Sequence, residues 1–476
     1  MRTLSLLALF ASLSFSQTIS IVKGPTDYQV YQRGADGKVD IPFELSVTDG
    51  DGKDIFLSLK RGVIPVPGFI ATKLGKVENG KLVTTIKSVP TGGPYRLELR
   101  SSRLGAAIAA RSNILVGDIW LLAGQSNMEG VGDLIDVEKP SEKVNSFNQS
   151  DEWVNAKEPL HELPSATDRV HWRRNSAGVL ERLSGEALEK FRIERKKGAS
   201  LALPFAIEYE KRTGIPVGLF PCAHGGTSMD QWSPDLKDKA GDSLYGATIR
   251  RAALVGKIKG ILWYQGESDA NPKAAPLFQD KFEKLVTAFR SDLGQPDLPF
   301  HYVQIGRHIN ATNVLQWNLV QEAQRLAESR LGNSVMFTAV DSDLDDGIHV
   351  STQDHKRIGR AMAAVAAGKA KKGPHLDSIA IEGQTVRIKY VEVNGKLSST
   401  GRISGFTAHT PQGDEISLFY KATLDPADPA SILLHFQGKL PDGVQLSYGN
   451  GKNPYANLRD DLQLGAPVFG PLPIQK

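Results

Sequence analysis

From Gly117 onward the chain alternates two patterns, and this alternation restricts its fold more than any other feature. Five short apolar runs, "DIWLLAG" (118–124), "VGLFPCA" (217–223), "GILWYQG" (260–266), "FHYVQIG" (300–306) and "SVMFTAV" (334–340), are spaced by helical patterns such as "LPFAIEYEKRTG" and "LFQDKFEKLVTAFRSDLG". A strand that is apolar on both faces has to be covered on both, so the expectation is a doubly wound α/β domain, a parallel sheet between two layers of helices. Gly214, Gly294 and Gly332 stand just past three of the helices, where a left-handed residue ends the turn. In such a sheet functional groups gather at the carboxyl ends of the strands, where the chain turns into loops and helix N-termini.

The alternation does not fill the chain, and 476 residues are too many for one ordinary core. Residues 17–115 carry short β-rich runs, among them "IPFELSV", "DIFLSLK" and "YRLELR", broken by turns such as "DGDGKD" and "TGGP", which suits an N-terminal antiparallel β-sandwich-like domain. The α/β pattern occupies 116–370, and 371–476 returns to β-rich runs such as "SILLHFQG" and "VQLSYG". Within the α/β part the alternation lapses at about 131–200, longer than a compact connection needs. That stretch contains "DEWVNAKEPLHELPSATDRVHWRR" and reads as an insertion that either shapes a substrate cleft or is merely structural.

The start, "MRTLSLLALFASLSFS", has a basic residue, an apolar run and small residues near Ser16, the pattern of a secretory signal peptide covering about 1–16, so the mature protein is expected to be secreted or periplasmic. No later segment is long and apolar enough for a transmembrane helix. The net charge of +4 gives no electrostatic case for a nucleic-acid partner. Cys222 is the single cysteine, which excludes an intrachain disulfide and reads as a small buried hydrophobe.

Four strand ends carry polar groups. The first opens into Gln125, Ser126 and Asn127, where the serine is either a helix N-cap or a nucleophile. The second delivers "PCAHGGTSMDQW": Gly225 and Gly226 let the backbone approach a ligand, Trp232 is a candidate cleft wall, and His224 a weaker candidate base. On the third, "WYQGESDANP", Gln265, Glu267, Ser268 and Asp269 crowd around Gly266. The last leads to Asp346 and His349, three apart, so that a carboxylate can orient an imidazole. A serine needs such a base, because its hydroxyl is a poor nucleophile at neutral pH. The acidic run Asp341, Asp343, Asp345 does not match a calcium loop, because Thr352 stands where a bidentate Glu is required.

Ser126, the Gly225-Gly226 turn, the "QGESD" cluster and Asp346-Gly347-Ile348-His349, in this order on successive strand ends, resemble the SGNH hydrolase superfamily, in its branch of sialate O-acetylesterases and related carbohydrate acetylesterases. The resemblance covers roughly 116–370 and implies a flavodoxin-like hydrolase domain. It also implies Ser126 as nucleophile, His349 as general base and acid, and Asp346 as its orienter. Oxyanion donors would be the Ser126 N–H, an N–H of Gly225 or Gly226, and a side-chain amide, assigned to Gln265. Gln125, Asn127, Glu267, Trp232 and His224 would line the site. The chain departs from the wider superfamily in having Gln125 where Asp precedes the serine, and no Asn in "GESD". The implied reaction is removal of acetyl groups from an acetylated oligo- or polysaccharide or O-acetyl sialic acid through an acyl-enzyme, with no metal or organic cofactor. A non-catalytic glycan-binding protein on the same fold and an esterase of broad range remain the alternatives.

Overall fold

Each of the five apolar runs forms a strand in the computed structural model, which describes residues 18–475. The strands of this sheet are β1 (Ala109–Gly124), β2 (Val144–Phe147), β3 (Trp153–Asn155), β4 (Val217–Pro221), β5 (Gly260–Tyr264), β6 (Phe300–Gln304) and β7 (Ser334–Thr338). They lie in the order β3-β2-β4-β1-β5-β6-β7. Every neighbouring pair is parallel except β2 with β3, which is antiparallel, so the sheet is mixed rather than purely parallel. Strands β4 to β7 are buried at every residue, as strands covered on both faces must be.

The helices are α1 (Ser126–Glu129), α2 (Gly185–Glu194), α3 (Ala202–Thr213), α4 (Leu244–Val255), α5 (Phe278–Asp292), α6 (Val314–Arg330) and α7 (Thr352–Ala366). Helix α5 shows why they dock: Phe278, Phe282, Leu285, Val286 and Phe289 fall on one face and are buried, each contributing about 2 kcal/mol of hydrophobic stabilisation. It packs on α6, while α3 packs on α7. Gly214 (φ 71°) and Gly294 (φ 62°) are left-handed as expected; Gly332 is not, and Asn333 (φ 54°) takes that role after α6.

Strand β2 was not visible as an apolar run, because its inner residues Asn145 and Ser146 are polar yet buried. The stretch 131–200 therefore does two things: it adds β2 and β3 to the sheet, and its two ends, Gly132–Asp133 and Lys197–Ala199, pair with each other and are bonded to the segment 345–352. Because β4 lies on one side of β1 and β5 on the other, the chain reverses its direction of travel across the sheet at β1. The carboxyl end of β1 is thus the crevice where an open α/β sheet binds ligands.

Two compact units divide the chain. The first comprises the described residues up to Gln29 with Arg33–Val116. It holds a three-stranded antiparallel sheet (Ile19–Lys23, Lys38–Val47, Lys81–Pro90) and a second antiparallel set in which Asp54–Arg61 pairs with Gly92–Arg100. In Lys38–Val47 the residues Ile41, Phe43, Leu45 and Val47 alternate inward, the period-two pattern of a strand with one buried face. The second unit is Val30–Gln32 with Gly117 onward, and so includes the C-terminal β-rich region. That region forms two four-stranded antiparallel sheets around a core of Val386, Ile388, Leu434, Leu446, Tyr448 and Phe469. The leader expected at about 1–16 lies outside the described residues. Among the described residues no helix is long and apolar enough to cross a membrane.

Candidate active site

Gly124 ends β1 with φ 129°, and a Cβ there would stand 2.2 Å from the Tyr264 carbonyl oxygen. Only glycine lets β1 and β5 come this close, and the approach allows the Gln125 N–H to donate to that same carbonyl at 2.8 Å. Gln125 then leads into α1, whose first residue is Ser126. The side chain of Gln125, 3% exposed, turns back so that Oε1 accepts from the N–H of Ser268 (3.3 Å) and Gly266 (3.5 Å). The residue that departs from the superfamily pattern is therefore a brace between the serine turn and the "QGESD" turn, not a free site-lining group.

Ser126 Oγ lies 3.0 Å from His349 Nε2, and His349 Nδ1 lies 2.8 Å from Asp346 Oδ2. Asp346 Oδ1 also accepts from the N–H of His349 (2.9 Å) and Ile348 (3.0 Å), and Lys197 Nζ reaches Oδ2 at 3.1 Å. Partial burial opposes ionisation of Asp346, but the His349 ring, these two amides and Lys197 outweigh it and hold the carboxyl far below the usual carboxylate range. Lys197 also reaches Asp133 (3.4 Å), and its pKa is raised: burial works against its charge and the two carboxylates win.

Asn127 ties the parts together: its Nδ2 donates to Glu267 Oε1 (2.7 Å) and its Oδ1 accepts from the Val350 N–H (3.0 Å), so one amide links the serine helix to the histidine loop. Burial raises the Glu267 pKa against the Asn127 bond, and its Oε2 is buried with no partner among the described residues. Gly225 is beside the serine, since a Cβ on it would stand 3.4 Å from Ser126 Cβ, but its N–H donates to Glu129 Oε2 at 2.7 Å. Gly226 (φ 70°) has open space around it, and the N–H groups of Ser126 and Gly226 have no acceptor among the described residues.

Two further expectations need correcting. Gln265 is not a free oxyanion donor: its Nε2 spends both hydrogens on the Thr227 carbonyl (3.0 Å) and Asp269 Oδ2 (2.6 Å), fixing the glycine turn to the third strand end. Asp269 in turn accepts from the Met229 N–H at 2.9 Å, and burial raises its pKa. Trp232 is not a cleft wall. It is wholly buried, its indole N–H donating to Thr227 Oγ1 (3.0 Å) and its ring set edge-on to Trp263. Both residues hold the Gly225-Gly226 turn in place from behind. Cys222 is buried, and burial pushes its thiol up to about 11, so it is no nucleophile at neutral pH.

A cavity of about 620 Å³ opens beside this site, lined by Glu129, His224 and residues of the 131–200 stretch, including His171, Trp172, Phe191, Arg195 and Lys197. Sequence reasoning singled out His224 and missed Glu129, His171 and Lys197. Glu129 had a signal, since it directly follows the serine motif. His171 lies in the "DRVHWRR" end of the stretch read as either cleft-shaping or structural, and the cavity lining favours the first reading, while Lys197 had no signal, because nothing local says where a long insertion folds back. Burial pushes the Glu129 carboxyl up to about 7 against the Gly225 amide and the Arg195 charge.

Residues 116–367, just over half of the chain, match the family described as carbohydrate esterase, sialic acid-specific acetylesterase. A probable carbohydrate esterase of Arabidopsis thaliana is 27% identical over 278 residues, covering 53% of this chain and 91% of that protein. The sialate O-acetylesterase of Homo sapiens is 20% identical over 303 residues, 56% of this chain and 55% of its own length, so the similarity spans about half of the human protein. The solved structure of a carbohydrate acetylesterase from Xanthomonas citri superposes over 93% of this chain and 97% of its own, with a TM-score of 0.61 at 20% identity, a likeness of fold. The chain belongs to the carbohydrate esterase, sialic acid-specific acetylesterase family, and so to the carboxylic ester hydrolases.

Proposed function

We propose that this protein is a secreted O-acetylesterase that removes acetyl groups from the hydroxyls of a glycan, with Ser126, His349 and Asp346 as its catalytic residues. The observation that carries this reading is the unbroken hydrogen-bond chain from Ser126 Oγ through the His349 ring to Asp346, at 3.0 and 2.8 Å. Ser126 Oγ attacks the acetyl carbonyl carbon while His349 Nε2 takes the hydroxyl proton; Asp346, held ionised, fixes the ring and stabilises the imidazolium. His349 then gives the proton to the departing sugar oxygen, leaving acetyl-Ser126. Water, deprotonated by His349, attacks that ester and releases acetate, and the serine recovers its proton.

The tetrahedral intermediates place negative charge on the former carbonyl oxygen. The Ser126 N–H is the first donor to it, followed by an N–H of the Gly225-Gly226 turn. Gly226 is free to donate, and Gly225 becomes so when the Glu129 carboxyl lets go of it. Export is proposed from the apolar N-terminal run and the small residues that follow it.

The test is acetate release from acetylated xylan, xyloglucan, pectin and O-acetyl sialic acid, each compared with the Ser126→Ala variant. Acetate from at least one glycan and none from the variant is the expected result. Glycan binding without acetate release from any of them would favour a non-catalytic role.

A further inference from the structure

His171 and His224 meet in the cavity beside Ser126 in an arrangement that constrains what the cavity can bind. Their Nδ1 atoms are 3.0 Å apart and their rings are stacked, with centroids 5.2 Å apart at 23°. At that distance one proton lies between the two nitrogens. Burial keeps both rings neutral: it pulls His224 down to about 4, and His171 well below its usual value. Arg251 adds positive charge near His171, and the cavity also carries Arg195 and Lys197 opposed by Glu129.

A neutral imidazole has one N–H. The ring that donates through Nδ1 therefore shows a bare, accepting Nε2, and its partner carries its hydrogen on Nε2. Neither Nε2 has a protein partner among the described residues, although His171 is only 4% exposed, and both residues line the cavity. Both Nε2 atoms are open to the cavity rather than sealed off, so a hydrogen-bonding occupant can take the place of water on them. Trp172, tethered through its indole N–H to the Ala166 carbonyl (2.9 Å), and Phe191, with Arg195 over its ring, supply apolar walls. The cavity adjoins the nucleophile through Glu129, on the serine helix, and through His224, next to Gly225.

We propose that His171 and His224 are specificity-determining residues that read the sugar ring of the substrate, one Nε2 donating to a ring hydroxyl and the other accepting from its neighbour. This rests on the O-acetylesterase reading and adds to it: adjacent ring hydroxyls supply both an acceptor and a donor, which the alcohol part of a simple alkyl ester does not. A site built to hydrogen-bond a hydroxyl discriminates strongly against an analogue that lacks it.

The measurement is the ratio of kcat/KM for an O-acetylated methyl glycopyranoside to that for cyclohexyl acetate, a ring of similar size without hydroxyls. Both substrates are assayed on the same preparation, so the ratio does not depend on how much of it is folded. The wild type should favour the sugar by roughly 10- to 100-fold, the worth of one or two hydrogen bonds. The ratio should collapse toward one in His171→Phe and in His224→Phe, and recover in part in His224→Gln, which can still donate or accept. A ratio that either Phe variant leaves at the wild-type value overturns the proposal while leaving the esterase reading intact. Hydrolysis of cyclohexyl acetate with no release from any acetylated sugar by the wild type overturns both.

Discussion

Asp346 shows most clearly how much a single side chain is asked to do. It touches the His349 ring, two amides and Lys197, and these keep it charged despite its partial burial. Asp346→Asn keeps the shape but removes the charge that favours the working tautomer and the imidazolium, so kcat should fall by about 10⁴-fold with little change in melting temperature. Glu129 is the opposite case, an acid whose pKa burial raises from 4.5 to about 7. Between those values the unfolded chain releases this proton and the folded protein keeps it, so the contribution of Glu129 to stability falls as pH rises, by about 1.4 kcal/mol per pKa unit. Glu129→Gln removes that dependence. The stability of the variant relative to wild type should therefore climb from pH 4.5 to 7 and then level off, which thermal denaturation across pH can follow; a flat difference would contradict the buried-acid account. At this scale the serine, histidine and aspartate were legible because their chemistry is distinctive and each stands at a strand end. Lys197 was not, and His171 only as part of an insertion that either shapes a cleft or is structural, because no local pattern encodes the path of so long a stretch.

Among the elements, the close approaches are where one atom matters. A Cβ on Gly359 of α7 would stand 2.2 Å from the Leu201 carbonyl oxygen at the start of α3, so Gly359→Ala must push the two helices apart. Overpacking of this kind costs about 3 kcal/mol, and the melting temperature should drop by roughly 5 °C while the ester bond is still cleaved. Gly124→Ala combines a similar clash with a backbone conformation that L side chains rarely adopt, and should lose both stability and activity, since it also moves the Ser126 turn. The strands that read as apolar runs were found where expected, because burial on both faces leaves no polar position. Strand β2 escaped notice for the converse reason: Asn145 and Ser146 are buried polar residues, and hydropathy cannot distinguish a strand of this kind from a loop. Gln265 and Trp232 were misplaced for a related reason. A polar or aromatic residue near a glycine turn serves equally well as its support from behind or as the surface in front, and only the fold tells which.

For the molecule as a whole, the family match covers residues 116–367, and the β-rich parts precede and follow that span in the sequence. The proposed reaction uses a serine, an imidazole, a carboxylate and backbone N–H groups, which together account for every proton moved. Dialysis against EDTA should therefore leave the turnover of an acetyl ester unchanged, and a loss restored by a divalent cation would show that the account is incomplete. The most direct test of the central claim is acetate released from O-acetylated glycans by the wild type and by Ser126→Ala, prepared and assayed side by side. The account predicts steady release by the wild type and a rate lower by at least about 10³-fold in a variant that melts at the same temperature. Undiminished release by the Ser126→Ala variant would contradict it.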